Sequence, residues 1–140
     1  MFQKIVLAVD GSENALRAAG KAGELARALH SEHLWVVVAY DPVPAYLGEP
    51  NVQKAMSSRL REAESILQMA IEAVGQIPGE IRKEILEGQP AEEILNVANV
   101  RKSDLIVMGS RGLGKLAGIV LGSQSQKVVS HAPCPVLIVR

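Results

Sequence analysis

Cysteine is close to absent, with Cys134 the only one among 140 residues. A single thiol excludes an intrachain disulfide framework and a four-cysteine metal site. Long apolar runs are missing too, none approaching the ~20 residues that span a bilayer. The start, Met1-Phe2-Gln3-Lys4 before a short apolar run ending at Asp10, lacks a signal-peptide cleavage pattern. No sign of charge dominates: 15 Lys+Arg stand against 15 Asp+Glu. That balance speaks against a general nucleic-acid or polyanion binder, which carries a basic excess or a basic face. Internal repeats and low-complexity tracts are also lacking. The expectation is a single domain over residues 1–140, cytoplasmic, able to hold an anion only through local geometry. Its 48% apolar residues are ordinary for a globular chain, and a chain of this size buries ~68% of its unfolded surface.

Continuous β-branched runs at residues 5–9, 34–39, 105–108 and 136–139 predict strands covered on both faces. Residues 81–87 predict an edge or near-edge strand ending at Gly88, since Ile81, Lys83 and Ile85 share a face and alternation fails at Leu86. Between the strands run helical stripes. Ala15, Ala19, Ala22, Ala26 and Leu29 form one; Met56, Leu60, Ala63, Leu67, Ala70 and Val74 form another. A third helix starts at Pro90, with Glu92 and Glu93 placed to suit its dipole. Pro42, Pro44, Gly48 and Pro50 mark a loop after the second strand. The order βαβαβαβαβ implies an α/β fold, a parallel sheet with helices on both faces. Ligands of such sheets bind beyond the carboxyl ends of the strands.

Three strand ends carry the chemistry. The first is Ala8-Val9-Asp10-Gly11-Ser12, where Gly11 permits a tight turn and Ser12 suits an N-cap. Asp10 is either a turn carboxylate accepting backbone N–H bonds or a polar group at the ligand crevice. Backbone groups around Ala39 and Tyr40, closing the second strand, suit the edge of a flat heterocycle. The richest end runs from Gly109-Ser110-Arg111-Gly112-Leu113-Gly114-Lys115 to Gly122-Ser123-Gln124-Ser125-Gln126. Its glycines let backbone N–H groups approach a ligand. Ser123 with Gln126 has the S-x-x-Q form of a capping box. A helix start with the Ser123 and Ser125 hydroxyls beside it suits a phosphate. Arg111 and Lys115 are either phosphate contacts or solvated loop cations.

Residues 109–115 also fit G-x-x-x-x-G-K, but Leu116 stands where a P-loop needs a hydroxyl to ligate Mg²⁺. The P-loop is rejected. Gly109-x-x-Gly112, nine residues, then Gly122-Ser123 instead resembles the G-2x-G-9x-G-(S/T) signature of the ATP-binding branch of the universal stress protein family. Asp10-Gly11-Ser12, Gly88-Gln89-Pro90 and Pro133-Cys134-Pro135-Val136-Leu137-Ile138-Val139 extend the resemblance along essentially the whole chain. It implies an open sheet of order 3-2-1-4-5, similar to flavodoxin and the adenine-nucleotide hydrolases. It implies that Ala8, Asp10 and Ala39 surround adenine and ribose. Gly109 and Gly112, with Arg111, Leu113, Gly114 and Lys115, would hold ribose and phosphates. Gly122, Ser123, Gln124 and Ser125 would take the phosphate tail, and Mg or Mn would ride on the phosphates. Gln124 departs from the small apolar residue that some members carry there.

Other chemistry finds little support. His30 and His33 fall near the end of the first helix, where cations suit the dipole. His131 and Cys134 have H-x-x-C spacing, but two ligands make no zinc site. Structural roles are expected for all four, with Cys134 in a packed turn. No Ser-His-Asp arrangement can be argued from the three histidines, so no catalytic residues are assigned. The third strand ends in Gly88-Gln89 where a receiver domain has its aspartate. The last stretch, from Pro135 to Arg140, is an apolar strand with no covering segment after it. Antiparallel pairing with its copy in a homodimer would remove that edge, and the resemblance implies the same. The function expected is an ATP-binding, dimeric stress-response module with an unknown protein partner. Slow ATP hydrolysis using Asp10, or a nucleotide-free interaction dimer, are the alternatives.

Overall fold

The computed structural model describes residues 1–111 and 121–140. Their elements, in chain order, are β1 (Lys4–Ala8), α1 (Glu13–Leu29), β2 (His33–Tyr40), a 3₁₀ turn (Ala45–Leu47), α2 (Asn51–Val74), β3 (Glu80–Glu87), α3 (Pro90–Val100), β4 (Leu105–Gly109), α4 (Ser123–His131) and β5 (Val136–Val139). The strands pair in parallel in the order β3-β2-β1-β4-β5. This is the α/β sheet and the strand order expected. β3 lies at an edge, as its irregular pattern indicated. Ile81 and Ile85 pack toward α1 and α2, while Leu86 packs on the opposite face.

The apolar runs are continuous because each strand feeds two cores. Ile5, Leu7, Leu34, Val36, Leu105 and Val107 pack with α1 and α2. Val6, Trp35, Val37, Ile106 and Met108 pack with α3 and α4. Each such side chain, fully buried, contributes ~1.5–3 kcal/mol. The α1 stripe is buried at Ala15, Ala19, Ala22 and Ala26. Its small residues let α2 approach closely: a Cβ added at Gly23 would meet the Val74 carbonyl oxygen at 2.1 Å.

The α2 stripe is only partly buried. Burial starts at Ala63, and Leu60 remains 39% exposed. The 24 residues of α2 run ~36 Å, whereas the 8-residue β2 spans ~26 Å, so the helix overruns the sheet. Helix ends follow local chemistry. The Ser12 side chain caps α1, and Pro90 opens α3. His30 closes α1 with a left-handed φ of 52°. His33 does not belong to the end of α1; it opens β2, with Nδ1 3.5 Å from Glu80.

Sheet order reverses at β1, which has β2 on one side and β4 on the other. The chain leaves β1 toward α1 and leaves β2 toward α2, while α3 and α4 cover the opposite face. The carboxyl ends of β1, β2 and β4 therefore open onto a crevice between helix starts. Among the described residues, no helix is long and apolar enough to cross a membrane.

Candidate functional site

A cleft of about 570 Å³ lies at those strand ends. Ala8, Val9 and Asp10 line it from β1 and its turn, Val37 and Ala39 from β2, and Met108, Gly109 and Arg111 from β4 and its exit. Pro90 and Ile94 of α3 form one wall; residues 121–126 at the start of α4 form another. Ala39 borders it near the end of β2. The Tyr40 carbonyl accepts from Gly88 N–H at 2.8 Å and so faces β3. By strand alternation the N–H and C=O of Ala39 face the β1 side, past the end of β1 at Ala8. They form a short polar edge above an apolar floor.

Among the described residues, three helices start at this cleft, and their first turns differ. In α1, Asp10 Oδ1 accepts from Ser12 N–H at 3.0 Å, and Ser12 Oγ accepts from Ala15 N–H at 3.1 Å. Asp10 is thus the turn carboxylate of the first reading and also borders the cleft. In α3, Pro90 has no N–H, Ala91 N–H donates to Gln124 Oε1 at 2.9 Å, and Glu92 N–H donates to Gln89 Oε1 at 3.0 Å. Both helices carry acids in the first turn, Glu13 in one and Glu92 and Glu93 in the other. Their positive ends are already occupied.

The start of α4 is different. Its N-cap is Gly122, with no side-chain cap and no acid in the first turn. Gly122 N–H donates to the Ser110 carbonyl at 2.7 Å. That leaves the N–H groups of Ser123, Gln124 and Ser125, which have no partner within a helix. The capping box expected from Ser123 and Gln126 is not formed. Ser123 is the first helical residue, not the cap, because the Gly122–Ser110 bond fixes the start one residue earlier. Gln126 Nε2 turns to the Leu121 carbonyl instead, at 3.5 Å.

The sequence-chosen residues converge here with altered roles. Ala8, Asp10, Ala39, Gly109, Arg111, Gly122, Ser123, Gln124 and Ser125 all line the cleft. Gly112, Leu113, Gly114 and Lys115 lie outside the described residues. Gly109 is required by packing: an added Cβ would fall 2.9 Å from Asn14 Cβ in α1. Ser125 is 3% exposed and its Oγ donates to the Gly109 carbonyl at 2.9 Å. Its hydroxyl is committed to the fold, so only its backbone N–H is left to offer a ligand. Val37, Pro90, Ile94, Met108 and Leu121 also line the cleft. Periodicity conceals them, since they read as ordinary core residues.

Away from the cleft, His131 Nδ1 lies 3.0 Å from the Lys127 carbonyl. Burial, with the Asp104 carboxylate adding to it, pushes the Cys134 thiol up from its ordinary pKa. Cys134 is partly buried against the α3–α4 core, and a raised pKa favours its protonated thiol.

Comparison with known proteins places this geometry in a family. The model described as the universal stress protein family matches residues 1–140. A universal stress protein of Thermus aquaticus is 53% identical over 140 residues, covering 100% of both chains. One from Methanocaldococcus jannaschii is 36% identical over 146 residues, covering 100% of this chain and 83% of that one. Among solved structures, universal stress protein UspA from Lactobacillus plantarum superposes with a TM-score of 0.86 at 26% identity, covering 99% and 98% of the two chains. A universal stress protein crystallised in complex with cAMP has a TM-score of 0.71 at 28% identity, covering 99% and 97%.

Proposed function

Since the chain belongs to the universal stress protein family, we propose that it is an ATP-binding module whose occupancy serves as a regulatory signal. One observation carries the reading: among the described residues, of three helix starts at the cleft, only that of α4 is without a side-chain cap and without an acid in its first turn. Such a start combines unpaired N–H donors with the positive end of a dipole, the combination that suits phosphate. The nine-residue spacing from Gly112 to Gly122-Ser123 supports the same assignment.

The cleft volume of about 570 Å³ falls within the ~300–1,000 Å³ of small-molecule sites. Ala8, Val37 and Met108 supply apolar surface for a purine, and the backbone of Ala39 supplies an edge to pair with it. Arg111 borders the same cleft and brings positive charge to the phosphate side. Mg or Mn would be carried by the phosphates, where it neutralises their charge. Binding, not turnover, is the proposed activity; Asp10, a carboxylate that borders the cleft, serves the turn by accepting from Ser12 N–H through Oδ1.

The assembly proposed is a homodimer through residues 135–140. β5 pairs with β4 at the end of the sheet, and its four residues are all half-buried. Antiparallel pairing with its copy satisfies that edge.

Calorimetric titration with ATP and Mg²⁺, paired with a thermal melt, tests the reading. Saturation at 100 times the dissociation constant adds ~2.7 kcal/mol of stability. The expected result is one site per chain and a raised melting temperature. No heat and no shift would reject it. A run with cAMP in place of ATP tests the phosphate chain: ATP is expected to bind more tightly.

A further inference from the structure

The first turn of α4 has no cap of its own, yet it is held from outside. Gly122 N–H is tied to Ser110, and Ser125 Oγ to Gly109. One of the two residues between them is tied to a different helix. Gln124 Oε1 accepts from Gln89 Nε2 and from Ala91 N–H, both at 2.9 Å. Ala91 is fully buried, so its N–H has no recourse to water. Gln89 also caps α3 through Glu92 N–H. One side-chain oxygen thus joins the starts of two helices.

We infer that Gln124 is a positioning residue, which fixes the phosphate-binding turn of α4 by anchoring it to α3. This rests on the reading of the cleft as an ATP site. Gln124 is the second helical residue, so its own N–H is the middle one of the three donors that have no partner within the helix. Anchoring its side chain sets the angle at which all three meet a ligand, before the ligand arrives. Pre-set donors bind more tightly because the ordering cost is already met. The second donor of the pair, Ala91, also bears on α3: Gln124 takes an N–H of its first turn that no helical carbonyl can pair. A small apolar residue at 124 would remove the anchor and leave Ala91 N–H unpaired.

The inference separates phosphate from nucleoside. Gln124→Leu keeps volume but removes the acceptor. Gln89→Ser keeps a good N-cap on α3 but is too short to reach Gln124, and Gln89 is not among the residues lining the cleft. Both variants and the wild type are titrated with Mg·ATP and with adenosine. Gln124→Leu is expected to bind ATP about tenfold more weakly, and Gln89→Ser about threefold. Adenosine affinity should stay within about twofold in both, since the nucleoside meets β1 and β2. Hydrogen exchange at Ala91 should speed up in Gln124→Leu. If Gln124→Leu does not fold, Gln89→Ser alone carries the test. Wild type that binds neither probe removes the ATP site itself, and the inference with it. Wild type that binds ATP while the folded variants match it overturns the positioning role only. Equal losses for ATP and adenosine also overturn it, as they indicate general damage.

Discussion

A carboxylate placed at the start of α4 should stabilise the helix and at the same time expel the phosphate. Ser123 is exposed and is the first helical residue, so Ser123→Asp disturbs no packing. An acid there interacts with the helix dipole for ~0.3–1 kcal/mol, which for a chain of this size is a rise of ~1–4 °C. At the proposed site the same charge would meet the phosphate tail of bound ATP. At ~5 Å and an effective dielectric of ~20, one charge pair costs about 3 kcal/mol. Salt reduces this at an open site, leaving ~1.5–3 kcal/mol, a ~10–150-fold loss of ATP affinity. Ser123→Asn is the control, equal in shape and neutral, and should bind within about threefold of wild type. The assay is calorimetric titration of all three proteins with Mg·ATP, beside thermal melts. Ser123→Asp binding as tightly as Ser123→Asn refutes the phosphate assignment. A lower melting temperature in Ser123→Asp refutes the uncapped geometry of α4.

Two glycines of α1 should respond oppositely to the same change. Gly23→Ala drives a Cβ to 2.1 Å from the Val74 carbonyl and should cost ~1–3 kcal/mol or more in denaturant unfolding. Gly20→Ala meets nothing within 4 Å and should gain up to ~1 kcal/mol; equal effects would contradict the close α1–α2 contact. Cys134 should alkylate slowly at pH 8 in the folded protein and rapidly once unfolded. Its raised pKa favours the protonated form in the fold, so the stability it contributes is present below the ordinary thiol range. That contribution is lost as pH rises through the folded value, measurable as a fall that Cys134→Ala lacks. Sedimentation at micromolar concentration should give a dimer, and a strictly monomeric species would remove the β5 pairing.

Much of the fold can be read from uninterrupted β-branched runs, because only a strand covered on both faces has no need of alternation. Residues 5–9 and 105–108 match β1 and β4 to within one residue at each end. Order at the sheet edge is written in β3, where Leu86 breaks the pattern of Ile81 and Ile85. Helix overhang is not readable this way: Leu60 fits the stripe, and its exposure depends on where the sheet stops beneath α2. The cleft was legible in part for a similar reason. Asp10, Gly109 and the residues 122–125 sit at strand ends, where topology alone directs attention. The true cap of α4 depends on Gly122 finding Ser110, and the Gln89–Gln124 bond joins residues 35 positions apart. Local motifs cannot express such contacts. The S-x-x-Q pattern was therefore misleading, and the ties to Gln89 and Ala91 had no sequence signal beyond Gln89 preceding Pro90.

The central claim is that phosphates dock on the backbone at the start of α4. Amide resonances of the uniformly ¹⁵N-labelled protein, followed during titration with Mg·ATP and separately with adenosine, test it most directly. The N–H signals of Ser123, Gln124 and Ser125 should shift strongly with ATP and little with adenosine, while residues near Ala8 and Ala39 shift with both. ATP binding that moves the β1 and β2 signals but leaves those three amides unchanged would contradict the account.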